Sequence, residues 1–300
     1  AVFLRNEYNW IDNQAHCRGG APMLVQIHDL FDLQKIADSG QCFRVAVFPD
    51  HTYRFISRDQ MLYIRRISDK DYEVDCTAEE WENIWIQYFD LERDYRALWN
   101  AIPEGDCFLK CAARVGEGIR VLRQDPWETL ITFILSQRKS IPAIRSSVEL
   151  LSERYGTKVQ TSREILHLFP TAWQMREASV EEYALCKTGY RAPYLYDAVH
   201  QVLQGGLDLQ HISSLSDKEL VSALEKVRGV GIKVANCVAL FAYGRTACVP
   251  VDTWIKKIIQ QKYGGENPFV QYGAGAGIMQ QCFFYYAQSH KAETVLDRTG

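Results

Sequence analysis

An amine and a carboxylate stand out in the last third of the chain. Lys233 lies in Val227-Arg228-Gly229-Val230-Gly231-Ile232-Lys233-Val234-Ala235-Asn236-Cys237, and Asp252 closes Cys248-Val249-Pro250-Val251-Asp252. A lysine is a nucleophile only as the neutral amine. At an ordinary pKa of about 10.4, under roughly 0.1 % is neutral at pH 7, and a fall of about 2 to 3 units raises that fraction by orders of magnitude. The first turn of a helix favours such a fall, because the positive end of the helix dipole opposes an ammonium group. A carboxylate held close by could stabilise positive charge as it develops on a substrate.

Both residues need elements to hold them. Ser216-Asp217-Lys218-Glu219 has the form of a capping box, and Leu220, Val221, Leu224 and Val227 follow at helical spacing. A second helix is expected to start at Gly231, so Gly229-Val230-Gly231 joins two helices in a tight hairpin spanning about 216–243. Gly229 and Gly231 would permit positive φ and close approach of another backbone, while the free amides of the second helix attract a phosphate. Lys233 would then sit beside a bound nucleic-acid strand. Asp252 precedes Thr253-Trp254-Ile255-Lys256-Lys257-Ile258-Ile259 and is expected to cap a further helix, which fixes its carboxylate in place.

Composition sets outer bounds. A chain of 300 residues, 47 % hydrophobic and 12 % aromatic, can bury a large core. No apolar run approaches the roughly 20 residues needed to cross a bilayer. The opening Ala1-Val2-Phe3-Leu4-Arg5-Asn6-Glu7 carries no signal-peptide pattern, so no membrane association and an intracellular location are expected. Nine cysteines without framework spacing fit reduced thiols; Cys107 and Cys111 lie one turn apart, but no second pair completes a metal site. A net charge of −3 is unusual for a nucleic-acid binder, yet Lys226, Arg228 and Lys233 surround the hairpin, and Lys256, Lys257 and Lys262 follow Asp252. Acids crowd the stretch from Asp69 to Glu92, so a basic cleft with an acidic back reconciles the two facts.

Along the chain, residues 42–76 alternate polar and apolar with turns at Pro49-Asp50-His51 and Ser68-Asp69-Lys70-Asp71, which predicts an antiparallel sheet. From residue 77 the period becomes helical and nothing further reads as strand. Helices are predicted from Thr77, from Asp125-Pro126 through Ile134, from Ile141 to Tyr155, from Pro193 to Leu203, over the hairpin pair, after Asp252 and from about Gly275 to Gln288. The expected class is α+β: an N-terminal antiparallel β-sheet domain over 1–112, then an all-helical domain over 113–300 that carries the chemistry.

The hairpin, its early lysine and the Val-Pro-Val-Asp segment resemble the helix-hairpin-helix DNA glycosylases, in particular the lysine-bearing members that cleave both base and strand. Further motifs in the right order are similar to one branch, the 8-oxoguanine DNA glycosylase/lyases: Ser39-Gly40-Gln41-Cys42-Phe43-Arg44, Arg120-Val121-Leu122-Arg123-Gln124-Asp125-Pro126, Gly189-Tyr190-Arg191-Ala192, and Gly277 through Phe284. The resemblance implies Lys233 as nucleophile and Asp252 as its partner. It implies a base pocket of Gly40, Cys237, Gln280 and Phe284, with the Gly40 carbonyl accepting from the N7–H that 8-oxoguanine carries and guanine lacks. Tyr190 would wedge into the base stack and Arg191 would meet the base left opposite. Gly229, Gly231, Arg138 and Lys139 would complete the contact with DNA.

Two departures from the family pattern accompany the match. Its three consecutive asparagines, which help to hold the estranged cytosine, are Arg138-Lys139-Ser140 here, and the histidine two residues after the aspartate is Trp254. The resemblance implies a monomer acting on double-stranded DNA that contains 8-oxoguanine, with no cofactor and no metal. Two alternatives stay open at this point. An endonuclease III-like enzyme for oxidised pyrimidines commonly carries four C-terminal cysteines around an iron–sulfur cluster, whereas only Cys282 lies beyond residue 248 here. The other is a non-catalytic helix-hairpin-helix module that only grips DNA.

Overall fold

Alternating hydrophobicity becomes a five-stranded antiparallel sheet in the computed structural model, which describes residues 22–290; the opening segment read for a signal pattern lies outside the described residues. The strands are β1 (Met23–Gln26), β2 (Ala46–Val47), β3 (Tyr53–Ser57), β4 (Gln60–Arg66) and β5 (Asp71–Val74), in the spatial order β1-β5-β4-β3-β2. One sheet face buries Phe55, Leu62, Ile64, Tyr72 and Val74 against Trp85, Tyr88 and Phe89. Those aromatics follow Thr77, whose hydroxyl and the Glu80 carboxylate form the capping box that starts their helical stretch. β1 is not apparent in the sequence because its four residues, of which Val25 alone is buried, are too few to show a period.

The helices that frame the site are α1 (Leu33–Asp38), α2 (Cys107–Val115), α3 (Pro126–Ser136), α4 (Ile141–Tyr155), α5 (Ala192–Leu203), α6 (Asp217–Leu224), α7 (Ile232–Phe241), α8 (Thr253–Tyr263) and α9 (Ala276–Ser289). Residues α3 to α7 supply the main apolar core, with Leu130, Ile134, Leu195, Leu224, Val238 and Leu240 fully buried. A second helical core forms where α2, α8 and α9 meet, around Leu109, Ile255, Met279 and Phe283. The division expected between residues 112 and 113 thus falls inside α2, a helix packed on α9.

The expectation of an all-helical second part needs correction. β6 (Lys158–Gln160) and β7 (Ile165–His167) pair antiparallel and lay Val159 and Leu166 against Ile56 on the outer face of the first sheet. Three residues per strand give one inward side chain each, so no alternation betrays them in the sequence.

Candidate DNA-repair active site

The hairpin forms as its sequence predicts at one glycine and differs at the other. Ser216 and Glu219 close the capping box of α6, and Leu220, Leu224 and Val227 are buried. Gly229 has φ +83°, and a Cβ there would lie 2.3 Å from Cδ2 of Tyr194, so both its conformation and the ring packed on it exclude a side chain. Gly231 instead has ordinary extended backbone (φ −100°) with open space where a Cβ would stand. It is the N-cap of α7 and offers no side-chain acceptor, which leaves the first amides of the helix for an external anion.

Lys233 is in the first turn of α7 and half-buried, with Nζ 5.5 Å from the centroid of the Phe133 ring. One turn on, the Cys237 thiol is 3 % exposed and lies near enough to Lys233 for the lysine to act on its ionisation. Burial pushes that thiol's pKa up, the neighbouring Lys233 opposes the rise, and the Asp252 carboxylate adds to it. Amine, thiol and carboxylate therefore share one electrostatic neighbourhood. Asp252 caps α8 as expected, with Oδ1 accepting from the Ile255 N–H at 2.8 Å. The segment leading to it is pinned by α9: the Gly277 N–H donates to Thr246 O at 2.7 Å, and a Cβ on Gly277 would meet Cys248 O at 2.6 Å.

A second cluster brings the two ends of the chain together. Gly40 follows α1 with φ +71°, and a Cβ there would lie 2.8 Å from Cε1 of Phe284. Its neighbours hold it rigidly. Ser39 Oγ donates to Ile36 O at 2.7 Å; the fully buried Gln41 donates to Ser39 Oγ and to Arg120 O, both at 2.8 Å, and accepts from the Leu122 N–H. From the other side Gln281 Nε2 donates to Ser39 O at 2.6 Å. Gln280 and Phe284 share a face of α9, and the buried Gln280 Oε1 has no hydrogen-bond partner. The sequence assigns site roles to Gly40, Gln280 and Phe284 but none to Ser39, Gln41 and Gln281, which lie in the same motifs and fix the backbone on either side of Gly40.

Tyr190 and Arg191 occupy a strained turn in which Lys187 (φ +56°) and Gly189 (φ +59°) both have left-handed backbone. Tyr190 is 53 % exposed and packs edge-on against Tyr194, the ring that covers Gly229. Arg191 is only 4 % exposed: its guanidinium lies 4.2 Å from the Tyr190 ring centroid and donates to Thr188 O and Gln137 O. Gln137 also donates through Nε2 to Gly229 O at 2.9 Å, so one residue couples this turn to the hairpin. Neither Gln137 nor Tyr194 was singled out in the sequence. Arg138 is exposed with φ +52°, whereas Lys139 points inward, bonding Ser147 Oγ and Lys187 O at 2.6 Å each; partial burial, then the Arg191 charge, lower its pKa.

Comparison with known proteins agrees with this layout. Residues 23–130 match the family model for the 8-oxoguanine DNA glycosylase, N-terminal domain. The N-glycosylase/DNA lyase OGG1 of Arabidopsis thaliana is 33 % identical over 177 residues, covering 58 % of this chain and 48 % of that protein. The chain spans about half the length of the curated plant and yeast relatives it matches. Solved structures align far more completely. MBOgg1 in complex with a low-affinity DNA ligand superposes with a TM-score of 0.85 at 33 % identity, covering 91 % of this chain and 97 % of that one. The Clostridium acetobutylicum 8-oxoguanine glycosylase/lyase, in complex with double-stranded DNA containing cytosine opposite 8-oxoG, gives 0.82 at 34 % identity, covering 90 % and 98 %. With sheet, hairpin and end-to-end identity all in agreement, the chain belongs to the 8-oxoguanine DNA glycosylase/lyase family of the helix-hairpin-helix superfamily.

Proposed function

We propose that this chain excises 8-oxoguanine from duplex DNA and then cleaves the strand, working inside the cell as a monomer. The observation that carries the reading is the lysine in the first turn of a helix with open amides, beside a buried thiol that feels both Lys233 and Asp252. The neutral Lys233 amine attacks C1′ of the extruded nucleotide and the N-glycosidic bond breaks. Its electrons leave with the base, which takes up a proton as the amine gives one up. Asp252 stabilises positive charge on the sugar meanwhile. The C1′–O4′ bond of the resulting N,O-acetal then breaks as O4′ takes up a proton, giving a Schiff base; loss of a C2′ proton follows, and β-elimination expels the 3′ phosphate.

The lesion would lie between Cys237 and Phe284, with Gly40 O accepting from N7–H and Gln280 Oε1 accepting from the Watson–Crick edge. Tyr190 would fill the gap in the stack, and Gly229, Gly231 and Arg138 would lie along the backbone. In the test, sodium borohydride traps the protein on duplex carrying 8-oxoguanine. Lys233→Gln should still bind that duplex but lose both excision and the trapped adduct. An adduct of wild-type yield in the variant overturns the assignment of Lys233, and a wild type that binds duplex without excising any lesion supports the non-catalytic alternative. Faster excision of thymine glycol than of 8-oxoguanine supports the endonuclease III-like one.

A further inference from the structure

We propose that Gln288 reads the lesion directly, its side-chain amide donating to O8, the oxygen that guanine lacks. The inference rests on the base-excision reading above and extends it to a residue outside the expected pocket. Gln280, Phe284 and Gln288 recur at every fourth position of α9 and therefore share one face. Gly40 lies against the C-terminal part of that face: a Cβ on it would stand 2.8 Å from Phe284 Cε1 and 3.1 Å from Gln288 Nε2. Gln288 Nε2 is buried with no hydrogen-bond partner, and so is Gln280 Oε1. An unpaired donor and an unpaired acceptor thus flank a single aromatic ring, although buried polar atoms are nearly always paired.

Polarity fixes how a base would lie between them. Gln280 Oε1 needs donors, and on the guanine framework those are N1–H and the exocyclic amine of the Watson–Crick edge. A base stacked on Phe284 with that edge at Gln280 turns its imidazole end along the helix toward Gln288. Two turns of helix separate the glutamines by about 12 Å, a span that a purine with a hydrogen bond at each end fills. At the imidazole end Gly40 O takes N7–H, and the neighbouring C8 carries O8 in the lesion but only a hydrogen in guanine. The Gln288 amide is paired by the first and left unpaired by the second. A site that leaves a buried polar group unpaired rejects the wrong substrate more strongly than one that merely loses contact area.

The test compares two rates for each protein on one duplex sequence: single-turnover excision of 8-oxoguanine opposite cytosine, and strand cleavage at a preformed abasic site, which has no base to read. The ratio of the two should fall about tenfold in Gln288→Leu and further in Gln288→Glu, which sets a carboxylate oxygen against O8. A ratio within twofold of wild type in Gln288→Leu overturns the proposal, as does a parallel loss of both rates, which marks a structural role. Equal ratios for Gln288→Glu and wild type overturn the donor assignment. A wild type that cleaves abasic sites but does not excise 8-oxoguanine removes the underlying reading, and Gln288 falls with it.

Discussion

Asp252 joins a helix cap to the chemical role proposed for it, and substitution can separate the two. Asparagine caps helices about as well as aspartate, so Asp252→Asn should hold the Ile255 N–H and change stability by less than about 0.5 kcal/mol. Its lost charge should slow single-turnover excision by about 100-fold or more, because one such interaction in a water-excluded site supplies several kcal/mol. An unchanged rate would reduce Asp252 to a cap. The residues proposed to lie near the opposite base argue similarly. Lys139 spends its ammonium on Ser147 and Lys187 O, and Arg191 donates to two backbone carbonyls. An asparagine amide offers a base edge both donor and acceptor, whereas Arg138 offers only donors. Cytosine preference should therefore be roughly ten- to a hundredfold weaker than in relatives with the asparagine stretch, at about 1 to 3 kcal/mol per bidentate pair. The measurement is excision with each of the four bases opposite 8-oxoguanine. A cytosine advantage above about a thousandfold would defeat the argument.

The hairpin glycines look equivalent in sequence but have different demands in the fold. Gly229→Ala forces a side chain into the Tyr194 ring at a left-handed position and should cost about 1 to 3 kcal/mol, seen as a fall in Tm. Gly231→Ala meets nothing in the free protein and should leave Tm nearly unchanged, while weakening duplex binding where a DNA backbone would approach. Equal Tm losses for both would refute the distinction. What the sequence makes legible at this level is whatever is local. The capping boxes at Thr77 and Ser216, the Asp125-Pro126 start of α3 and the span of α4 depend on side chains within four residues of one another. β1, β6 and β7 are too short for a period to register. The contact between Gln281 and Ser39 spans 242 positions, which no spacing rule reaches; only the resemblance points to Gly40, Gln280 and Phe284, and although its motifs contain Ser39, Gln41 and Gln281 it gives those residues no role. Gln137 and Tyr194 were illegible for a different reason, because their importance lies in the backbone and ring they touch rather than in any motif.

At the scale of the molecule, the proposed base pocket draws on a sheet-bearing part that carries Gly40 and a helical part that carries Lys233, and a charged seam runs between the two parts. Arg44, 3 % exposed, bonds Glu149 of α4 and His167 O of β7, and Arg54 pairs with Glu164 at 2.7 Å and bonds Arg44 O. Glu128, in the first turn of α3, faces these arginines along with Asp125 and Glu149. Burial raises its pKa from 4.5 to about 7, with the Arg44 charge opposing the rise and both acids adding to it. A raised carboxyl pKa means that between about pH 4.5 and 7 the native state holds a proton that the unfolded chain has lost. Stability contributed by this group is full below that window and declines as pH rises through it. Glu128→Gln mimics the protonated form at every pH. It should match wild type in urea denaturation at pH 4 and exceed it by about 1 to 3 kcal/mol at pH 8. Identical pH dependence in the two proteins would place the Glu128 charge outside the seam. A larger gain at pH 8 accompanied by faster excision would mean instead that ionised Glu128 loosens the seam enough to shift Gly40 from its place in the proposed pocket.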